Sequence, residues 1–393
     1  MISNDISILR SIPLSVPEIS GNEWKYLKEC LESGWVSSSG PFVDRFEREI
    51  AAYVGAAHAV ATVNGTAALQ IALQVAGVKP DDEVLVSNLT FIAPVNAIRY
   101  CGANPVLVDA GLHSWQIDVE KLAWFLKEEC FLKDAACFNK QTRRRVRAIL
   151  PVHLLGLACE MDRICELARD YHLEVIEDAA EGMGVRYRGR HVGTFGQMGV
   201  FSFNGNKIIT SGGGGVLVTD NAAHAEYARY LTTQAKDDEL EYIHNEVGYN
   251  FRLSNLQAAV GVAQLEQLDG FIEKKRVIAR AYTEAFQDVD AVTRMPSPAH
   301  TEPTYWLYTI LLNEGTTLAR RQAIVQTLRA EGIGVRPLWH PIHGLPPYRY
   351  AQAIQIEHSI SLYERGISLP SSVGLEEAQL HRCMTRVKQA VTS

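Results

Sequence analysis

Residues 201–221 read FSFNGNKIITSGGGGVLVTDN. One lysine, Lys207, stands between two apolar, β-rich runs, GVFSF (199–203) and GGVLVTD (214–220), with no acidic neighbour and with four glycines close behind it. Both runs read as buried strands. Their connection is too short for a crossover helix, so one of the two is expected to run antiparallel. A solvated surface lysine is the plain reading of Lys207; the rest of the chain argues against it.

Five more apolar runs precede this pair: HAVAT (58–62), EVLVS (83–87), PVLVD (105–109), RAILPVH (147–153) and LEVIED (173–178). Between them TAALQIALQVAG (66–77), FIAPVNAIRYCG (91–102), VEKLAWFLKEEC (119–130) and MDRICELARDY (161–171) carry apolar residues at helical spacing. Continuous apolar strands joined by helices predict an α/β fold, a mostly parallel seven-stranded sheet covered on both faces. Residues 131–146, FLKDAACFNKQTRRRV, read as an insertion before the fourth strand, with no role legible in them. Past residue 255 the pattern changes. Residues 255–286 read as one long helix, followed by YWLYTILLN (305–313), a helix near 317–331, and GIGVRPLWHPIH (332–343). The expected division is a large α/β domain with an N-terminal segment over 1–255, and a linking helix plus small α+β domain over 256–393. The Pro-rich stretch 295–304 is a plausible boundary region.

The chain has 393 residues, 47% hydrophobic and 21% charged, enough for a sizeable core. A net charge of −7 argues against nucleic acid as a partner. The basic run Arg143, Arg144, Arg145 and Arg147 is short; it reads as a solvated loop or, less simply, an anion patch. Seven scattered cysteines without a CxxC pair argue against disulfides and zinc and fit a reducing compartment. MISNDISILRSIPLS has too short an apolar stretch for a signal peptide, and no run spans a membrane, so a cytoplasmic protein is expected.

In an open α/β sheet, ligands bind beyond the carboxyl ends of the strands. After the first run comes NGTAAL (64–69), a Gly-Thr turn opening a helix: an anion site, or an ordinary helix cap. After the second comes NLTFIA (88–93), where Phe91 is either a platform for a flat ring or a core residue. His153 ends the fourth run, either as a satisfied structural histidine or as a contact to a ligand. The fifth ends in VIEDAAEG (175–182). Asp178 follows a buried strand, where a carboxylate is costly without a cation, and none is near in sequence. Glu177 and Asp178 alternate, so one of them faces the site. Ser202 offers a hydroxyl near Lys207. A phosphate cradle, an aromatic platform, a buried acid and a lone lysine are the parts that pyridoxal phosphate needs: an amine for its aldehyde, a carboxylate for its ring nitrogen and a turn for its phosphate.

With GWVSSSGPFVDRFE (34–47), NGTAAL (64–69), VIEDAAEGMG (175–184), FSFNGNKIITSGGGG (201–215) and GYNFRLSNLQAA (248–259) in place, nearly the whole chain resembles the sugar aminotransferases of the DegT/DnrJ/StrS type. The resemblance implies the fold-type-I architecture of pyridoxal phosphate-dependent transferases. It implies Lys207 as the lysine that carries the cofactor and shuttles protons, and Asp178 as the partner of the ring nitrogen. Thr66, Ala67 and Ser202 match phosphate contacts, Phe91 the stacking aromatic, and Glu181 a position near the ring hydroxyl where the family often has glutamine or histidine. Asn250 matches an asparagine that reaches the phosphate of the other subunit, implying a homodimer with shared active sites. Trp35, His153, Arg336, His340 and His343 are candidate substrate contacts; His340 and His343 equally fit a polar loop, and no metal is expected.

The activity implied is amino transfer from L-glutamate to a keto- or aldehyde-sugar. Resemblance to the branch making 4-amino-4,6-dideoxy sugars points to a nucleotide-linked 4-keto-6-deoxy sugar for surface glycans such as lipopolysaccharide, O-antigen or nonulosonates. The alternatives are transamination of an eight-carbon sugar acid of the 8-amino-3,8-dideoxy-octulosonate kind, a sugar dehydratase and a non-catalytic cofactor-binding sensor. Relatives that act as dehydratases replace the lysine with histidine; this chain keeps Lys207.

Overall fold

The computed structural model describes residues 11–238 and 240–393. The first ten residues, on which most of the signal-peptide reading rests, lie outside the described residues. All seven expected strands form and lie in one sheet, in the order 58–62, 215–219, 198–202, 174–178, 145–150, 83–87, 104–108. Gly215–Thr219 runs antiparallel to both of its neighbours; every other neighbouring pair in this series is parallel. Side chains alternate as a doubly covered sheet requires. Leu85 faces one core, while Val84 and Val86 face the other.

The sheet is larger than the sequence implied. Gln352–Ile354 returns from the C-terminal region and pairs in parallel with Asn104–Val108. The 131–146 insertion is mostly a hairpin, Cys130–Lys133 against Ala136–Asn139, stitched to Arg145–Leu150. Asp134 and Ala135 take left-handed backbone at its two-residue turn, as a tight hairpin demands. The basic run belongs to this edge: Arg143 lies over the Phe131 ring and Arg147 donates to the Ala76 carbonyl.

The single helix expected over 255–286 is two, Asn255–Leu265 and Leu268–Ala285. No glycine or proline marks the break. Tertiary bonds fix it: Glu266 accepts from Tyr26, Asn22 and Arg45. Likewise the 119–130 helix ends at Trp124 and widens into a π turn, Phe125–Glu129, before the hairpin.

A third core packs residues from Ile278 onward, among them Trp306, Leu307, Tyr308 and Leu362, against Leu89, Ala110, Trp115, Val152 and Leu154 of the earlier part of the chain, together with Ile12. Ile12 pairs with the 332–334 strand segment. Asp109, at the end of a sheet strand, is fully buried and accepts from Lys121 and from the N–H groups of Glu357, His358 and Ser359. It thereby fastens the His358–Arg365 helix to the sheet. No helix among the described residues is long and apolar enough to cross a membrane.

Candidate active site

The carboxyl ends of the parallel strands open onto a cavity of about 320 Å³. Of the residues singled out in the sequence, Thr66, Phe91, Asp178, Glu181, Ser202, Lys207 and Arg336 line it. Lys207 sits in the turn after Met198–Ser202, its N–H bonded to the Asn204 carbonyl at 2.9 Å. Its Nζ lies 3.4 Å from Glu181 Oε1 and 4.3 Å from the centre of the Trp306 ring. The surface reading of Lys207 is thus excluded: its side chain is only 14% exposed.

Asp178 ends the adjacent strand, 4% exposed. Among the described residues its carboxylate accepts one hydrogen bond, from Ala180 N at 3.0 Å. Burial pushes its pKa up to about 6, against the lowering effect of that bond and of Lys207. Strand alternation turns Glu177 to the opposite side. There it accepts from Gly193 N and Gly196 N, both at 2.7 Å, and pairs with His153 Nε2 at 2.9 Å. His153 is fully buried on that side and does not line the cavity. Its Nδ1 faces Cys159 N and its Nε2 faces Glu177, so both ring nitrogens are engaged by the protein and the imidazole is a structural element. Glu181 Oε2 accepts from Leu155 N at 2.7 Å. Leu155 is buried with φ 61°, a conformation a leucine adopts only under constraint, and this aims its N–H at the carboxylate.

The NGTAAL turn is both a cap and a cradle. Asn64 caps the Gly65–Val75 helix, its Oδ1 accepting from Ala67 N at 2.8 Å. That bond occupies the Ala67 N–H, and Ala67 stays off the cavity wall; Gly65 and Thr66 open the helix toward it. A Cβ on Gly65 would stand 3.0 Å from Ser202 Cβ, so glycine lets helix and strand end meet around a small anion. Phe91 is 55% exposed, which makes it a face at the cavity mouth and not a core residue.

Other expected contacts lie elsewhere in the single chain. His343 donates its N–H to Asn88 Oδ1, and exposed His340 packs its ring 4.9 Å from that of Tyr363. Trp35 is half-exposed on the N-terminal motif and Asn250 is exposed beside Thr233. Sequence reasoning missed Thr90 and Trp306 in the cavity wall, where Trp339 also stands. Thr90 was adjacent to a residue already singled out. Trp306 arrives from a distant strand lead-in, which no local spacing reveals. The Arg336 guanidinium lies 4.9 Å from the Trp339 ring centre and 5.8 Å from that of Trp306.

The donor set fits pyridoxal phosphate on its own terms. A buried carboxylate lacks a cation, an amine projects into the cavity, and a glycine-walled helix start faces a serine. In addition Thr90 Oγ1 and one Arg336 Nη are buried without a hydrogen-bond partner, as expected of groups awaiting a polar ligand.

Comparison with known proteins agrees. A profile of the DegT/DnrJ/EryC1/StrS aminotransferase family matches residues 17–388. GDP-perosamine synthase from Caulobacter vibrioides is 38% identical over 98% of this chain and 100% of its own. EpsN of Bacillus subtilis, provisionally named a pyridoxal phosphate-dependent aminotransferase, is 40% identical over 95% of this chain and 94% of its own. The crystal structure of an aminotransferase of the same family from Brucella abortus superposes with a TM-score of 0.86 at 30% identity, over 95% of this chain and 96% of that one.

Proposed function

Because this chain belongs to the DegT/DnrJ/EryC1/StrS aminotransferase family, and is therefore a pyridoxal phosphate-dependent sugar aminotransferase, we propose that it moves the amino group of L-glutamate to a nucleotide-linked 4-keto-6-deoxy sugar. The observation that carries this reading is the Lys207 amine, poised between Glu181 and Trp306 above a buried Asp178. The name of the Caulobacter relative supports GDP as the nucleotide, since perosamine is a 4-amino-4,6-dideoxy sugar.

When bound, pyridoxal phosphate supplies the aldehyde that carries the amino group and the ring that accepts the electron pair of the bond being broken. The protein does the rest. Thr66 and Ser202 would hold the phosphate at the helix start, where the free N–H groups favour an anion. Phe91 would offer the ring an aromatic face. Asp178 would keep a proton on the ring nitrogen, and that cation would relieve the burial cost of its own carboxylate. Lys207 would anchor the cofactor, and its Nζ, when free, would take a proton as base and return it as acid. Glu181 Oε1 steadies the ammonium stage of that exchange. Arg336, with an unfilled N–H, takes a carboxylate of the donor.

The homodimer belongs to the same proposal. Leu240, Tyr242, Ile243 and Val247 are half-exposed or more, as are Trp24 and Trp35, a surface suited to a second copy. Asn250, on the same stretch as the first four, would then reach the partner's phosphate site.

Incubation of purified protein with L-glutamate and GDP-4-keto-6-deoxymannose, with mass analysis of the sugar, tests the proposal. The expected product is the 4-amino-4,6-dideoxy sugar, formed only with glutamate. Turnover of an eight-carbon keto-sugar acid instead would move the assignment to octulosonate amination. A deoxygenated, amine-free product would mark a dehydratase, and no product from any acceptor a sensor.

A further inference from the structure

A buried lysine lies outside the cavity, and among the described residues no acid pairs with it. Lys275 lies in the apolar stripe of the Leu268–Ala285 helix with Phe271, Ile272, Ile278 and Tyr282. It is 2% exposed. Among the described residues it forms no ion pair; its Nζ donates to two main-chain carbonyls, of Trp306 at 2.9 Å and of Ser371 at 2.6 Å. A buried ammonium is costly, and burial pulls its pKa down to about 7. An apolar side chain of similar length would avoid that cost. What Lys275 holds is therefore informative.

Trp306 is the residue it grips, and Trp306 is joined to Lys207 twice. Its Nε1 donates to the carbonyl of Asn206, the residue before Lys207, at 2.7 Å. Its ring lies 4.3 Å from Lys207 Nζ. Tyr305, just before it, has φ 51°, so the backbone here is held in a conformation it would not choose freely. The far side of the indole stacks near Trp339, 6.3 Å away between ring centres.

We propose that Lys275 is a positioning residue for amino transfer: by gripping the Trp306 carbonyl it keeps the indole against the Lys207 amine and so holds that amine in the place where it meets the cofactor. The inference rests on Lys207 being the lysine that carries the cofactor. A loosened Trp306 takes away the ring against which the Lys207 amine rests, and a misplaced amine meets the cofactor less often in a reactive geometry. Near Lys275 itself, Tyr282 spends its hydroxyl on the Pro370 carbonyl and Tyr308 pairs with Thr283.

The test follows condensation of added pyridoxal phosphate with cofactor-stripped full-length protein, by visible absorbance, with Lys207→Ala as the blank. Lys275→Met is expected to slow condensation by about 10- to 100-fold, the scale of a small misplacement of a reacting group. Trp306→Leu should slow it by a similar factor, and the double variant no further, because both act through one contact. If Lys275→Met does not fold, Lys275→Gln keeps one amide donor and should give a smaller loss in the same direction. A variant at Lys275 that melts lower while it condenses at the wild-type rate overturns the inference, since the lysine is then structural only. A wild-type protein without Lys207-dependent condensation overturns the reading of Lys207, and this inference with it.

Discussion

Replacing Asp178 with asparagine should stabilise the protein when the cofactor is absent and weaken it when the cofactor is present. The carboxylate is almost fully buried, and among the described residues it has one hydrogen bond and no contacting cation. Its pKa is raised to about 6 from an ordinary value of 3.8. A carboxylate with a raised folded-state pKa binds more protons in the native state, so stability falls as pH rises from the unfolded value through the folded one. At about 1.4 kcal/mol per unit, the ionised group costs the cofactor-free protein about 3 kcal/mol at pH 7 and about half that at pH 5. Asparagine keeps an oxygen for Ala180 N and removes the charge. Paired denaturation curves of the stripped proteins should therefore show the variant more stable by up to that amount at neutral pH, with the gap closing as the pH drops. With pyridoxal phosphate bound the order should reverse, because the ring nitrogen loses its anionic partner. A stripped variant equal to or less stable than wild type at pH 7 would refute the reasoning.

Three further outcomes follow from other contacts. Gly65→Ala places a Cβ 3.0 Å from Ser202 Cβ; an overpacking cost of about 1–3 kcal/mol should lower the stability of the stripped protein in denaturation curves and weaken cofactor retention in equilibrium dialysis. Arg336→Met should raise KM for L-glutamate by about 10- to 150-fold, the worth of a charge-assisted hydrogen bond, with a smaller change in kcat; steady-state kinetics at saturating sugar decides it. Asp109 is the opposite case to Asp178. Burial works against its charge, but Lys121, Ser359 and the N–H groups of the 357–359 turn outweigh it and lower its pKa to about 2. Its contribution is present above the unfolded value near 3.8 and is lost as pH falls through about 2. Asp109→Asn should cost about 2 kcal/mol at pH 7 in denaturation curves, and the difference should shrink below about pH 4.

Much of the large domain was legible because its strands are buried on both faces and written as continuous apolar runs. Such runs survive any reasonable packing, and strand-end positions then place Asp178, Ser202 and Lys207 together without further information. What escaped was set by contacts distant in sequence. The helix break at Glu266 depends on Tyr26 and Arg45, and the eighth strand of the series, 352–354, depends on the edge left free by 104–108. Trp306 belongs to the site because Lys275, Asn206 and Trp339 converge on it from separate elements. At His153 the sequence left two readings open, and the structural one fits, because Glu177, on the opposite side from Asp178, engages the ring. The insertion became readable only as a hairpin, because its alternation is short and its turn residues, Asp134 and Ala135, carry no glycine signal.

The most direct test of the whole account is the visible absorption of the purified protein, reconstituted with pyridoxal phosphate, during titration with L-glutamate. Amino transfer at Lys207 predicts that the band of the lysine-held cofactor fades, the band of its amino form rises, and 2-oxoglutarate appears in equal amount, while Lys207→Ala shows no such exchange. A reconstituted wild-type protein whose spectrum ignores glutamate, or a Lys207→Ala protein that behaves as wild type, would contradict it.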